Sequence, residues 1–188
     1  MLRISGGLFR GITLSVPSAL RPTEAKVRQA IFNILGDFVQ DARVLDGFAG
    51  SGALGCEALS RGASFVAFIE SDPEAMMAIR DNVTKIDPEL PAHVTVRYVQ
   101  LEVERGLRML AKEKRPFDII LLDPPYRSPE AKNALNTVVE CAILAPTGVM
   151  VIEHHRGTLL PATMGVLHQQ KQHRYGNTVL SLYQAADL

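Results

Sequence analysis

Cysteine is scarce in these 188 residues: Cys56 and Cys141 are the only two, and neither sits in a Cys/His spacing of the metal-binding kind. A disulfide framework is excluded as the source of stability, and a reducing, cytoplasmic setting is expected. Both cysteines fall in helical patterns and read as small buried hydrophobes. Long apolar runs are lacking as well. Phe117–Leu122, apolar apart from Asp118, is far short of the roughly 20 residues a membrane span needs. The start, Met1-Leu2-Arg3-Ile4-Ser5-Gly6-Gly7, has no apolar stretch of the signal-peptide type, so no membrane role is expected. The five histidines, His93, His154, His155, His168 and His173, keep no metal-ligand spacing, and no metal is expected. No internal repeat or low-complexity tract is present.

What is there is an ordinary globular composition, 47% apolar and 21% charged, at a length that suits one domain with at most a small appendage. Lys plus Arg equals Asp plus Glu at 20 each, but the balance hides a gradient. Residues 1–35 carry five basic groups (Arg3, Arg10, Arg21, Lys26, Arg28) against Glu24 alone. Residues 36–153 carry 12 basic and 18 acidic groups, and residues 154–188 carry Arg156, Lys171 and Arg174 against Asp187. Basic ends around an acidic middle allow a polyanion to bind at the terminal elements.

Along the chain, residues 2–16 read as a hairpin turning at Gly6-Gly7. Leu20-Arg21-Pro22 is a linker, and Thr23 is a helix N-cap. Val27, Ala30, Ile31, Ile34 and Leu35 then fall on one helical face that leaves Lys26 and Arg28 outside it, and Gly36 ends the helix. Strands and helices alternate from there: strands at 43–46, 65–70, 94–99, 117–122 and 149–153, helices at 53–61, from Asp72-Pro73, at 103–112 and from Ser128-Pro129 to about Cys141. Gly176-Asn177 turns between two final strands, 167–174 and 178–183. Alternation with largely apolar strands predicts a doubly wound α/β fold, a mostly parallel sheet covered on both faces with an antiparallel hairpin at its edge.

Two motifs fall at strand ends. Asp46-Gly47-Phe48-Ala49-Gly50-Ser51-Gly52-Ala53-Leu54-Gly55 joins the first sheet strand to its helix, where glycines let backbone approach a ligand. Gly50-x-Gly52-x-x-Gly55 matches a dinucleotide fingerprint, with Glu70 20 residues beyond Gly50. Yet Asp46 would set a negative charge against a pyrophosphate. A cationic ligand, S-adenosylmethionine, removes that conflict: Asp46 faces its amino-acid end, Glu70 accepts ribose hydroxyls, and Glu102 reaches the adenine edge. Asp123-Pro124-Pro125-Tyr126 ends another strand on the same sheet edge. The prolines stiffen a loop that offers a carboxylate, a backbone carbonyl and an aromatic face. Asp123 and the Pro124 carbonyl suit the two N–H bonds of an exocyclic base amine, and Tyr126 suits stacking on the ring.

Together these motifs resemble class I S-adenosylmethionine-dependent amino-methyltransferases. Arg3-Ile4-Ser5-Gly6-Gly7, Arg10-Gly11, Arg21-Pro22-Thr23, Val27-Arg28, Ile31-Phe32-Asn33 and the late Tyr175-Gly176-Asn177 are similar to the pattern of the bacterial 16S ribosomal RNA guanine-N2 methyltransferase family. Leu101-Glu102 departs from that family's usual pair. The resemblance implies a seven-stranded sheet with an N-terminal β-hairpin and helix, residues 1–35 as an RNA-contacting extension and 36–188 as the methyltransferase domain. It implies transfer to the N2 of a guanine, guanine 966, in 16S ribosomal RNA carried by the small ribosomal subunit or an assembly intermediate. Asp123, Pro124, Pro125 and Tyr126 are then the catalytic candidates. Asp46, Phe48, Gly50, Ser51, Gly52, Glu70, Ser71 and Glu102 are the cofactor candidates, and Arg3, Arg10, Arg21, Thr23 and Arg28 the RNA candidates. Nothing requires a dimer, and a monomer is expected. A DNA adenine-N6 methyltransferase uses the same Asp-Pro-Pro-Tyr chemistry but needs a target-reading insertion, of which none is visible. The glycine loop also permits an NAD-dependent oxidoreductase, and the scaffold permits a noncatalytic RNA-binding module.

Overall fold

The computed structural model describes residues 2–18, 24–126 and 128–185. Strands β1 (Leu2–Arg3) and β2 (Thr13–Leu14) pair antiparallel as a small sheet of their own. Helix α1 (Ala25–Leu35) ends at Gly36, which takes φ 53° and returns its N–H to the Phe32 carbonyl. Then follow β3 (Arg43–Gly47), α2 (Ala53–Ser60), β4 (Phe65–Ile69), α3 (Pro73–Thr84), β5 (Thr95–Val99), α4 (Val103–Ala111), β6 (Phe117–Leu122) and α5 (Glu130–Cys141). The chain closes with β7 (Leu144–His155), β8 (Thr163–Met164), β9 (Leu167–Tyr175) and β10 (Thr178–Ala185). Pro73 and the Asp72 carboxylate, which accepts the Ala75 N–H at 2.9 Å, start α3 as the sequence implies.

The main sheet runs β5-β4-β3-β6-β7-β10-β9-β8, parallel from β5 to β7 and antiparallel beyond. The seven expected strands are present, and the sheet gains an eighth, β8, whose two residues are too few to leave a periodic signal. Alternate strand residues feed two cores. Val44, Val66, Ile119, Leu121 and Val151 pack under α1, α2 and α3; Leu45, Ala67, Ile120, Leu122 and Ile152 pack under α4 and α5. Leu2, Ile4, Phe9 and Leu14 of the N-terminal segment belong to the first of these cores. Among the described residues, no helix is long and apolar enough to cross a membrane.

Helix α2 is buried along all eight residues, because the N-terminal segment covers the side that the sheet does not. The Ser60 hydroxyl accepts the Phe9 N–H at 2.9 Å and donates to the Gly6 carbonyl at 2.6 Å, and the Ser60 carbonyl accepts the Leu8 N–H at 2.7 Å. At the other end of the segment, the buried Asn82 amide bonds both main-chain groups of Ser15 and donates to the Ser51 carbonyl at 2.9 Å. Asn82 therefore ties the N-terminal segment to the glycine loop.

Helix α1 corrects the sequence reading. Its buried residues are Val27, Arg28, Ile31, Phe32 and Leu35, whereas Ala30 and Ile34 are half-exposed. The face is turned by about one residue because Arg28, 1% exposed, meets Glu57 of α2 (Nε to Oε2, 3.4 Å) and donates to the Arg3 carbonyl at 2.6 Å. Phe32 packs beside it, with the Arg61 guanidinium over its ring. Arg28 is thus engaged inside the protein, and its assignment to RNA phosphate is withdrawn. The N-cap position falls on Glu24, whose side chain makes no cap hydrogen bond. Arg21 and Thr23 lie outside the described residues.

Candidate active site

Strand order reverses between β3 and β6, the point at which doubly wound sheets open a crevice at their carboxyl edge. A cavity of about 490 Å³ lies there, within the range of small-molecule sites. Its walls bring together Asp46 near the end of β3, Glu70 and Ser71 after β4, Glu102 and Val103 after β5, and Asp123, Pro124, Pro125 and Tyr126 after β6. The Asp123 N–H reaches the Gly47 carbonyl at 3.4 Å, so the two motif-bearing strand ends are directly joined. Phe48, Gly50 and Ser51 also line the cavity. Phe48 holds φ 60°, a costly conformation for a bulky residue of the kind that gathers at ligand sites.

Asp46 is 1% exposed. Its Oδ2 accepts the Gly55 N–H at 2.8 Å, capping the third residue of α2, while Oδ1 is buried with no hydrogen-bond partner. Burial drives its carboxyl well above the usual range. The Gly55 N–H opposes the shift, and the Asp123 and Glu70 charges add to it. Glu70 braces the loop: Oε2 accepts the Gly50 N–H at 2.8 Å and Oε1 the Asp72 N–H at 2.9 Å. Each oxygen keeps a further lone pair for a ligand hydroxyl. Glu102 is exposed at the start of α4, and its side chain takes no part in capping that helix.

Gly52 differs from its expected place, since it lies behind the loop and not on the cavity wall. It takes φ 73°, and a Cβ there would meet Ile79 at 3.1 Å and Phe68 at 3.2 Å. At Gly55 a Cβ would stand 2.1 Å from the Phe68 ring. These two glycines serve the packing of α2 on the sheet; Gly50 is the one that meets the cavity.

Tyr126 is 38% exposed with its ring on the cavity. Its hydroxyl is anchored by Glu153 Oε1 at 2.9 Å and Thr178 Oγ1 at 2.6 Å. Partial burial and the Glu153 carboxylate push the phenol up to about 12, so it stays neutral. The ring is therefore oriented, with the His155 ring tilted beside it at 5.9 Å between centroids.

Residues 2–184 match the family model described as Conserved hypothetical protein 95. The chain belongs to this family. It is similar to YlbH of Bacillus subtilis (strain 168), 36% identical over 184 residues, which are 97% of this chain and 98% of that one. It is also similar to Ribosomal RNA small subunit methyltransferase D of Escherichia coli (strain K12), 32% identical over 97% of this chain and 89% of the relative. The solved structure of yhhF from Escherichia coli overlays with a TM-score of 0.81 at 32% identity, covering 99% of this chain and 98% of that one.

In this Conserved hypothetical protein 95 member the cavity also holds residues the sequence reading missed. Glu24, Glu130 and Glu153 raise the carboxylates on the described walls to seven, with Asp46, Glu70, Glu102 and Asp123, and no Lys, Arg or His is among them. Glu153 carried a usable signal: like Asp46 and Glu70, it is an acid at the end of a largely apolar strand run. The basic candidates lie elsewhere. Arg10 is exposed in the turn docked on Ser60, the far end of α2 from the glycine loop and roughly 12 Å of helix away. Arg3 is exposed on β1.

Proposed function

We propose that this protein transfers a methyl group from S-adenosylmethionine to the exocyclic N2 of a guanine in 16S ribosomal RNA, guanine 966 by family likeness. The observation that carries the reading is one acid-lined cavity shared by the glycine loop and Asp123-Pro124-Pro125-Tyr126. The relatives' names support an RNA substrate. An acidic wall suits a ligand bearing an ammonium and a sulfonium and opposes a pyrophosphate, which disfavours the nicotinamide reading. Asp46 Oδ1, buried without a partner, fits an ammonium donor; Glu70 fits the ribose and Glu102 the adenine edge. S-adenosylmethionine supplies an electrophilic methyl group.

The chain's own residues supply the rest. An exocyclic base nitrogen is a weak nucleophile because its lone pair is delocalised into the ring. Asp123 and the Pro124 carbonyl accept its two N–H bonds and favour a pyramidal nitrogen with a freed lone pair. Positive charge grows on that nitrogen as the new bond forms, so the Asp123 carboxylate acts more strongly in the transition state than in the ground state. The proton leaves the nitrogen afterwards, to Asp123 or to water. Tyr126 stacks on the base, and the stiff prolines hold the acceptors in place.

Labelled methyl transfer to small-subunit RNA and to duplex DNA tests the reading. RNA-only transfer is expected; DNA-only transfer would reverse it in favour of an adenine-N6 enzyme. Saturable NAD binding without S-adenosylmethionine binding would remove the methyltransferase reading.

Asp46 gives a pH test. Its carboxyl is raised in the free protein, and an ammonium beside it favours the ionised form, so binding releases protons. Affinity for S-adenosylmethionine should therefore rise with pH through the window above the ordinary carboxylate range and level off above the raised pKa. Calorimetry in two buffers of different ionisation enthalpy reads the released protons. Asp46→Asn keeps an oxygen for Gly55 but loses the charge. It should weaken binding roughly 10- to 100-fold, the scale of one charged hydrogen bond, and abolish the proton release.

A further inference from the structure

We infer that the groove between α1 and β9 is the track for the single-stranded RNA that flanks the target base. This rests on the proposed function, and it answers a problem that function creates. The catalytic cavity is lined by seven carboxylates and no basic side chain among the described residues, so it repels a phosphate backbone. The backbone needs a basic platform next to the cavity and outside it.

The α1–β9 groove, about 380 Å³, has that chemistry. It is lined by Lys26, Gln29 and Asn33 on α1 and by His173 and Tyr175 on β9, with Ala30 and Ile34 as its floor, and no acid is among them. Lys26, Gln29 and Asn33 are exposed, on the side of α1 away from its buried residues. Lys171 pairs with Leu182, His173 with Leu180 and Tyr175 with Thr178, so all three β9 residues share the sheet face under α1. Lys26 and Lys171 suit phosphates, Tyr175 and His173 suit stacking, and the two amides suit base edges. Buried His173 Nε2 has no hydrogen-bond partner in the structure.

Residues of the groove adjoin residues of the active site. Tyr175 stands directly across the ladder from Thr178, and Thr178 Oγ1 holds the Tyr126 hydroxyl at 2.6 Å. At the other wall, Lys26 is two residues from Glu24 on the cavity rim. A base stacked on Tyr126 thus has its neighbours led onto Tyr175 and then His173.

Fluorescence anisotropy with labelled, naked small-subunit RNA tests this alongside methyl transfer by the parent protein. Lys26→Ala with Lys171→Ala should weaken RNA binding and lower the salt dependence of log K by about 1–2, while affinity for S-adenosylmethionine stays within about twofold. Tyr175→Ala should weaken binding roughly 5- to 150-fold, the range of one lost stack, and Tyr175→Phe should restore it. Unchanged RNA affinity and salt slope in these variants, with an active parent, overturn the track and leave the function standing. Weakened binding with a parent inactive on RNA keeps the track and overturns the function. Affinity lost for whole subunits but kept for naked RNA assigns the groove to a ribosomal protein and also overturns the track.

Discussion

Asp123→Ala is expected to slow methyl transfer roughly 10²–10⁴-fold, the range for loss of one positioned polar group in a transition state. The loss should appear in kcat, because charge develops on the acceptor nitrogen only as the bond forms. Asp123→Asn should fall between the parent and alanine: it keeps an acceptor oxygen and loses the charge. Removing the Asp123 charge also relieves Asp46, whose carboxyl it helps to raise, so the Asp46 carboxyl should ionise at lower pH in this variant. Single-turnover rates with saturating cofactor and RNA check the effect. Turnover near that of the parent in a folded Asp123→Ala protein would remove Asp123 from the chemistry.

Glu57→Ala is expected to cost about 3–5 kcal/mol of stability, the scale for breaking a buried ion pair on one side. Glu57 has no exposed side-chain surface and collects three partners. Arg61 lies at 2.9 Å and Arg28 at 3.4 Å, and Ser5 donates both its N–H, at 2.8 Å, and its hydroxyl, at 2.7 Å. Truncation leaves the Arg28 guanidinium buried without its counter-charge. Burial already lowers its pKa, and the Glu57 charge is the main opposing effect. The same truncation frees Ser5, and with it the segment that covers α2. Arg28→Met combined with Glu57→Leu should recover much of the loss, since an apolar pair of similar volume needs no desolvation of charge. Urea denaturation measures both; a loss below about 1 kcal/mol for Glu57→Ala would show the network to be incidental.

The sheet was legible because its inner parallel strands β3, β4 and β6 are buried on both faces and therefore largely apolar, with an acid at or beside the end of each. The edge that carries the cavity was legible for the same reason. Asp46, Glu70 and Asp123 each close an apolar run, and parallel strands bring their carboxyl ends to one side. What could not be read depends on partners distant in sequence. Arg28 looks like a surface residue on its own helix, and only Glu57, on another element, explains its burial. Ala30 and Ile34 follow the apolar period, yet they floor a groove because the helix turns toward that ion pair. Gly52 and Gly55 fit a ligand-binding motif, but Phe68 and Ile79 occupy the space a side chain would need. The two residues of β8 have no pattern of their own.

The most direct test is mass mapping of small-subunit RNA after incubation with the purified protein and S-adenosylmethionine. A single N2-methylguanosine, at guanine 966, is expected, forming far more slowly when Asp123→Ala replaces the parent. Methyl groups on a ring nitrogen or on adenine, or an unmodified RNA, would contradict the claim that Asp123 and the Pro124 carbonyl hold a guanine amine for transfer.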